Sequence, residues 1–245
     1  MNVIVAGAVL LVLAAVGIPT YRVVKQNAMK ADTMSRLAKI STAARTYVAQ
    51  NDGLIPKEDA IGSDTWEAAA NPVSADTWYN ALPKLAGAKP VGEYITNPQE
   101  FYQSANLLFV PGADYPIKRQ LMRPHFAIAI NTKLQRKEAD GSKPQVKMSD
   151  ITNPSRTVLF LEQGLPGEAR SMDQQTKKDY DGSSKGSPKS FVARYRGKGW
   201  LLFVDGHAEA RPANEVMTET GTIPFPPGPD DLIWSPTPEI DPNKP

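Results

Sequence analysis

Residues 1–51 read MNVIVAGAVLLVLAAVGIPTY (1–21) and then RVVKQNAMKADTMSRLAKISTAARTYVAQN (22–51), and this stretch decides the architecture. The first 21 residues carry no charged side chain. A run of about 20 apolar residues rises roughly 30 Å as an α-helix, the thickness of a bilayer's hydrocarbon core. A cleavable secretory signal would place a basic residue ahead of the apolar run and a small-residue cleavage site after it, and neither stands here. An ordinary buried helix is amphipathic rather than apolar on every face. The expectation is a helix that lives in lipid, or in a protein core made by copies of itself. Pro19 has no N–H to offer Ala15, and Gly17 weakens the same turn. A kink or a locally unwound stretch is therefore expected over residues 14–19.

In the second part Met34, Leu37, Ile40 (with Ser41), Ala44, Tyr47 and Val48 recur at steps of three and four, which predicts one apolar stripe along a continuing helix. Arg22, Lys25, Lys30, Arg36, Lys39 and Arg45 fall largely off that stripe. Gly53 is placed to end the helix in a left-handed cap. One face of residues 22–51 should pack on a globular head and the other should meet water or a partner.

The run from Leu13 to Pro56 resembles the N-terminal helix of type IV pilins, and is most similar to the major, G-type pseudopilins of type II secretion. Family members share an apolar start, a proline about 22 residues into the mature chain and then a polar helix. In the branch this chain most resembles, the helix ends in a phrase like YAQDNxGxLP; here it reads Tyr47-Val48-Ala49-Gln50-Asn51-Asp52-Gly53-Leu54-Ile55-Pro56. The family also carries a basic leader and a Glu at mature position five. Aligned on Pro19, this sequence places Asn2 at the Glu position and starts about three residues short. The resemblance implies a filament whose core is built from the N-terminal helices. Small residues, Gly7, Ala8, Ala14, Ala15 and Gly17, together with Pro19, would set their close approach.

The rest of the chain reads as a head and a tail. Residues 54–73 are turn-rich, with Pro56, Gly62 and Pro72, and Trp66 with Ala68 to Ala70 suggests a short helical turn. Ser74 can cap a helix in which Trp78, Leu82 and Leu85 face one way, ended by Gly87. Trp78, Asn80 and Leu82 resemble a WxNxL-like helix of related pseudopilins, with Trp78 and Tyr79 as core or interface anchors. Leu107 to Val110, Phe126 to Asn131 and Thr157 to Glu162 read as strands, the last being the clearest buried one. Residues 133–147 read as an exposed loop, and residues 163–190 as a long, exposed and mobile one. Asp179 and Asp181 are calcium candidates, because oxygen ligands on a turn suit that ion. Related G-type pseudopilins bind calcium in a C-terminal loop.

Residues 195–211 read YRGKGWLLFVDGHAEAR, two apolar runs around Asp205-Gly206. An Asp-Gly pair predicts a tight type I′ hairpin turn, in which both residues take positive φ. The segment resembles a C-terminal signature of the same branch, a His followed nine residues later by Asp-Gly, with Tyr195 at the His position. His207 and Glu209 share a face of the second strand, as a metal pair or as a cross-strand polar pair. Residues 224–245 hold eight prolines, so they should be extended and partly polyproline II. Phe225, Leu232, Ile233 and Trp234 are apolar enough to dock on this subunit or the next.

Composition narrows the function. The 28 basic and 26 acidic residues give a net charge of +2, no strong field to draw in nucleic acid. There are no cysteines, so disulfides, thiol chemistry and the common zinc motifs are excluded. No GxSxG, P-loop, GxGxxG after a strand or HExxH is present, and no catalytic residue or organic cofactor is expected. The expected fold class is α+β and type IV pilin-like. A helix over 1–53 (1–21 in membrane or filament core, 22–53 amphipathic) carries a head over 54–223, with a small antiparallel sheet packed on the helix and long loops. A Pro-rich tail follows over 224–245. The expected function is a structural filament subunit. Its partners are copies of itself, the inner-membrane assembly machinery and, before assembly, the lipid bilayer. After assembly it would stand in a periplasmic or cell-surface filament. A minor or tip pseudopilin, or a membrane-anchored binding module, is the alternative.

Overall fold

The computed structural model describes residues 21–59 (Arg22 by its backbone alone), 65–115, 122–135 and 144–244. Helix α1 runs Asn2–Gln50, and of residues 2–20 nothing further is described. The expected kink, and the packing expected of Gly7, Ala8, Ala14, Ala15, Gly17 and Pro19, lie outside the described residues. Among the described residues no helix is long and apolar enough to cross a membrane. The second half of α1 buries Thr33, Leu37, Ile40, Ala44 and Tyr47, a step of four, three, four and three that keeps one face inward. Met34, expected to lead this stripe, is 51% exposed; the buried face begins one residue earlier, at Thr33. The helix ends where Asp52 (φ 52°) and Gly53 (φ 82°) turn left-handed, and the Gly53 amide returns to the Val48 carbonyl at 3.0 Å.

Two short helices follow. In α2, Trp66–Ala70, Thr65 caps the first turn by accepting from the Ala68 amide at 3.1 Å. Helix α3, Trp78–Leu85, starts after Thr77 rather than Ser74. Pro72 and the Asn71 side chain, which accepts from the Val73 amide, tie residues 72–74 into a separate 3₁₀ turn. Trp78 is fully buried, with the rings of Phe126, Phe160 and Tyr79 around it and its indole N–H donating to the Ser184 carbonyl at 3.0 Å. Leu85, at the far end of α3, stays partly in water. A fourth helix, α4, Pro98–Phe101, inserts Phe101 into the same core. Residues 107–110 form no strand. The Asn106 side chain accepts from the Leu108 amide at 3.0 Å and folds the segment into a turn that buries Leu107, Leu108 and Val110.

The sheet has five strands in the order β3-β1-β2-β4-β5: β1 Ile128–Asn131, β2 Val158–Glu162, β3 Lys185–Gly186, β4 Lys198–Phe203 and β5 Ala208–Pro212. It is mixed, not antiparallel. The β1–β2, β2–β4 and β4–β5 pairs are antiparallel, but β3 joins β1 in parallel. The segment after β2 stays at the end where β2 finishes, so β3 enters the far edge from the same end as β1. A register shift between Val158 and Phe160 puts both Leu159 and Phe160 into the helix-side core, while Val158 and Leu161 face the other way. Helices α1 and α3 cover the first face.

The opposite face is covered by the C-terminal tail. Leu232 and Trp234 are buried against Val158, Leu161, Leu201 and Phe203. Ile233 pairs with Thr157 in parallel, accepting from the Val158 amide at 3.0 Å and donating to the Arg156 carbonyl at 2.9 Å. Asn131 reaches through to donate to the Trp234 carbonyl at 2.9 Å, and Arg156 holds the Gly228 and Asp231 carbonyls. The tail therefore docks on its own subunit as a third layer, and only Phe225 of the four apolar candidates stays outside, 41% exposed. Residues 163–190 are not the exposed loop that their polarity suggested. Gln175, Tyr180 and Ser184 are buried, and the Tyr180 hydroxyl donates to the Phe191 carbonyl at 2.9 Å. Gln175 satisfies four partners of its own: it donates to the Lys189 and Phe191 carbonyls and accepts from the Ser171 and Met172 amides. Polar side chains here replace a strand ladder as the source of backbone hydrogen bonds.

Candidate interaction site where head and helix meet

The segment over 195–206 is built from two different turns. Tyr195 and Lys198 exchange backbone hydrogen bonds at 2.8 and 3.1 Å across Arg196 (φ 54°) and Gly197 (φ 77°). That is the primed two-residue turn expected at Asp205-Gly206. The Asp205-Gly206 turn itself differs. Its Gly206 amide donates to the Phe203 carbonyl at 2.9 Å, and Phe203 donates to the His207 carbonyl at 2.9 Å. Gly206 has φ 91°, while Asp205 is not among the described non-glycine residues at positive φ. This is a three-residue loop closed by a left-handed glycine, the other common hairpin solution. Asp205 and Gly206 are thus a turn as expected, but of this second kind.

Both ends of the segment grip α1. The Tyr195 hydroxyl lies 2.8 Å from Thr33 Oγ1, and the Thr33 hydroxyl donates to the Met29 carbonyl at 3.1 Å. Thr33 has one proton, so Tyr195 is the donor in their contact. At the other end Ser41 donates to the Gly206 carbonyl at 3.1 Å, and Arg45 donates to the Asp205 carbonyl. A Cβ on Gly206 would stand 2.6 Å from Ser41 Oγ and would also meet the Arg45 guanidinium, so the backbone itself abuts the helix. Thr33, Ser41 and Arg45 span about 18 Å of α1 at 1.5 Å per residue. Tyr195 and Asp205-Gly206 are thus two points at which the head is fixed to the helix, and Arg36 makes a third by donating to the Asn106 and Ser104 carbonyls.

A buried ionic cluster lies beneath the Tyr195 end. Glu162, the last residue of β2, follows Phe160 onto the helix side of the sheet and has no exposed surface. Its Oε2 accepts from the Trp200 amide at 2.8 Å; its Oε1 has no hydrogen-bond partner, and the nearest cationic atom is Arg194 Nη1 at 3.7 Å. Arg194 keeps only Nη1 for it, without a hydrogen bond, and commits its other nitrogens elsewhere. It forms a fork with Glu168 (Nε to Oε1 at 2.9 Å, Nη2 to Oε2 at 2.6 Å) and donates to the Gln163 carbonyl at 2.6 Å. Glu168 also accepts from the Asp114 and Leu165 amides at 2.9 and 2.7 Å. Burial works against the Arg194 charge and Glu168 more than offsets it. Burial, opposed mainly by Arg194, pushes the Glu162 pKa up to about 7; burial and then the Glu162 charge push the Tyr195 hydroxyl up as well.

The outward face of α1 is free of the head. Tyr21 and Val24 are 67% and 61% exposed, and Ala28, Ala31, Ser35, Ala38 and Thr42 continue the line at steps of four and three, all exposed. After Val24 every residue on this line is small, so a second helix can approach closely.

The remaining candidates are separate from this site. Asp179 accepts from the amide and hydroxyl of Thr176 at 2.7 and 2.8 Å, and Asp181 accepts from the Ser183 amide at 2.9 Å. Each carboxylate caps its own turn, and among the described residues no three acidic or histidine side chains gather as a metal site. His207 stacks on Phe203 with ring centroids 4.3 Å apart and meets Asp205 at 2.6 Å, while Glu209 pairs with Arg211 on its own strand at 2.9 Å. Sequence reasoning missed Thr33, Glu168 and Arg194. It read Glu162 only as a strand end, although period-two alternation from Phe160 places Glu162 on the core face. Comparison with protein-family models, with curated proteins and with solved structures returns no match.

Proposed function

We propose that this chain is a structural subunit of a type IV pilus-like or type II secretion pseudopilus-like filament, assembled from the inner membrane by packing of its N-terminal helices. The observation that carries the reading is the division of α1 into two faces. One face is held by the head through Thr33, Leu37, Ile40, Ser41 and Arg45, and the opposite face is a free line of small residues. A helix built only to tether a head to lipid has no need of such a line. The resemblance of residues 13–56 and of the segment around Tyr195 and Asp205-Gly206 to pilin-like subunits points the same way. In lipid the apolar run 1–21 is dissolved; in a filament it packs against equivalent helices and stays out of water.

The test is negative-stain microscopy of material sheared from cells, with the chain identified by antibody. Uniform thin filaments containing it are the expected result. Recovery solely as detergent-soluble monomer overturns the filament reading and favours a membrane-anchored binding module. Labelling confined to the ends of filaments made of another protein favours a minor or tip subunit.

A further inference from the structure

Glu162 stands where the sheet, the 194–195 segment and α1 converge. From the segment before β4, Arg194 and Tyr195 face it, and from the loop after β2, Glu168; Tyr115, of the 110–115 segment, stands beside Arg194 and Glu168 instead. From α1, Lys30 lies over the Trp200 ring at 5.6 Å and Arg36 over Phe109 at 5.5 Å. The cluster of Glu162, Glu168 and Arg194 holds two acids and one guanidinium. The guanidinium fork is closed on Glu168 through Nε and Nη2, and Glu162 Oε1 and Arg194 Nη1, 3.7 Å apart, are each left without a hydrogen bond. A buried charge so weakly met is costly, and the neutral acid relieves that cost.

We propose that Glu162 is the titratable part of a latch between head and helix: as the neutral acid it leaves the Tyr195 proton to Thr33, and as the carboxylate it competes for that proton. In the neutral state the hydroxyl protons run in one direction, Tyr195 to Thr33 and Thr33 to the Met29 carbonyl. Ionisation attracts the Tyr195 proton toward the carboxylate, and Thr33 must then abandon Met29 or lose its link to the head. The proton released by Glu162 goes to solvent, and no other bond changes.

The sign follows from burial. The folded chain holds the Glu162 proton up to about pH 7, while the unfolded carboxyl releases it near the ordinary value of 4.5. The contribution is complete below about 4.5 and is lost as pH rises through about 7. The grip of the head on α1 should weaken over the same interval.

The experiment compares the purified full chain with Glu162→Gln and Tyr195→Phe by thermal unfolding and by amide exchange of α1 around Thr33, from pH 5 to pH 8. Wild-type Tm should fall by roughly 5–10 °C more than that of Glu162→Gln across this range. Exchange near Thr33, corrected for its intrinsic pH dependence, should accelerate in wild type and stay flat in Glu162→Gln. Tyr195→Phe keeps the carboxyl but breaks the link, so its exchange near Thr33 should be raised at pH 5 and should change little toward pH 8. Parallel pH profiles in wild type and Glu162→Gln would overturn the proposal. So would unaltered pH-dependent exchange in Tyr195→Phe, which still tests the latch if Glu162→Gln fails to fold.

Discussion

Gly206 is the residue at which backbone conformation and tertiary contact coincide. Its φ of 91° is unfavourable for any side chain, and the space a Cβ would occupy is filled by Ser41 and Arg45 of α1. Gly206→Val should therefore cost roughly 1–3 kcal/mol from backbone strain alone, with separation of hairpin and helix adding to it. Urea unfolding of the full chain reads the loss directly; an unchanged midpoint would remove the turn from its place against α1. Position 195 carries a different requirement. A tyrosine is long enough to cross from the head to Thr33, and its hydroxyl is the only donor the Thr33 oxygen receives from the head among the described residues. The aromatic body belongs to the core, with Tyr195 buried beside Trp200 and Leu202, so the polar tip and the apolar body serve separate ends.

At the scale of elements, the proline-rich tail does the work a second helical layer does in other α+β domains. Without it, Val158, Leu161, Leu201 and Phe203 would present a continuous apolar surface to water. Trp234 is the anchor, almost wholly buried, with its carbonyl held by Asn131. Trp234→Ala should destabilise the chain by about 3–5 kcal/mol, in the range for large buried aromatics. Phe225→Ala, at a residue 41% exposed, should stay within roughly 0.5 kcal/mol of wild type. Chemical denaturation of the two variants side by side checks the docking; equal losses, or none from Trp234, would mean the tail is not part of the core. The segment after β2 makes the same point with polar groups. Tyr180 and Gln175 hold it down through hydrogen bonds to Phe191, so a stretch rich in Gly, Ser and Lys is packed without an apolar run.

At the scale of the molecule, α1 divides its circumference between the head and the outside. Bulk added to the outer line should leave the fold alone, because Ala31 and Ala38 are exposed. In a filament it should overpack a helix–helix contact, at about 1–3 kcal/mol per site, repeated in every subunit. Ala31→Leu with Ala38→Leu should thus preserve Tm and membrane attachment while sharply reducing sheared filament. Gly7→Leu with Ala14→Leu probes the apolar run in the same way, since a lipid anchor needs only hydrophobicity. Normal filament yield from both pairs would speak against a core of closely packed helices.

The sequence by itself determined the long helix, its inward stripe from Leu37 to Tyr47, the strand ending at Glu162 and the turn at Asp205-Gly206. These are local matters: periodicity fixes which face is apolar, and a glycine after an aspartate marks a reversal. Only tertiary structure decided the rest. The kind of turn at Asp205-Gly206, the parallel entry of β3 and the burial of residues 163–190 depend on which segments lie beside them. Thr33 replaced Met34 at the head of the stripe because a tyrosine more than 160 residues away supplies its hydrogen bond. Glu162 and Arg194 are ordinary surface residue types, and their burial follows from a sheet covered on both faces. Periodicity reports how a residue sits on its own element; it carries no information about which distant group will meet it there.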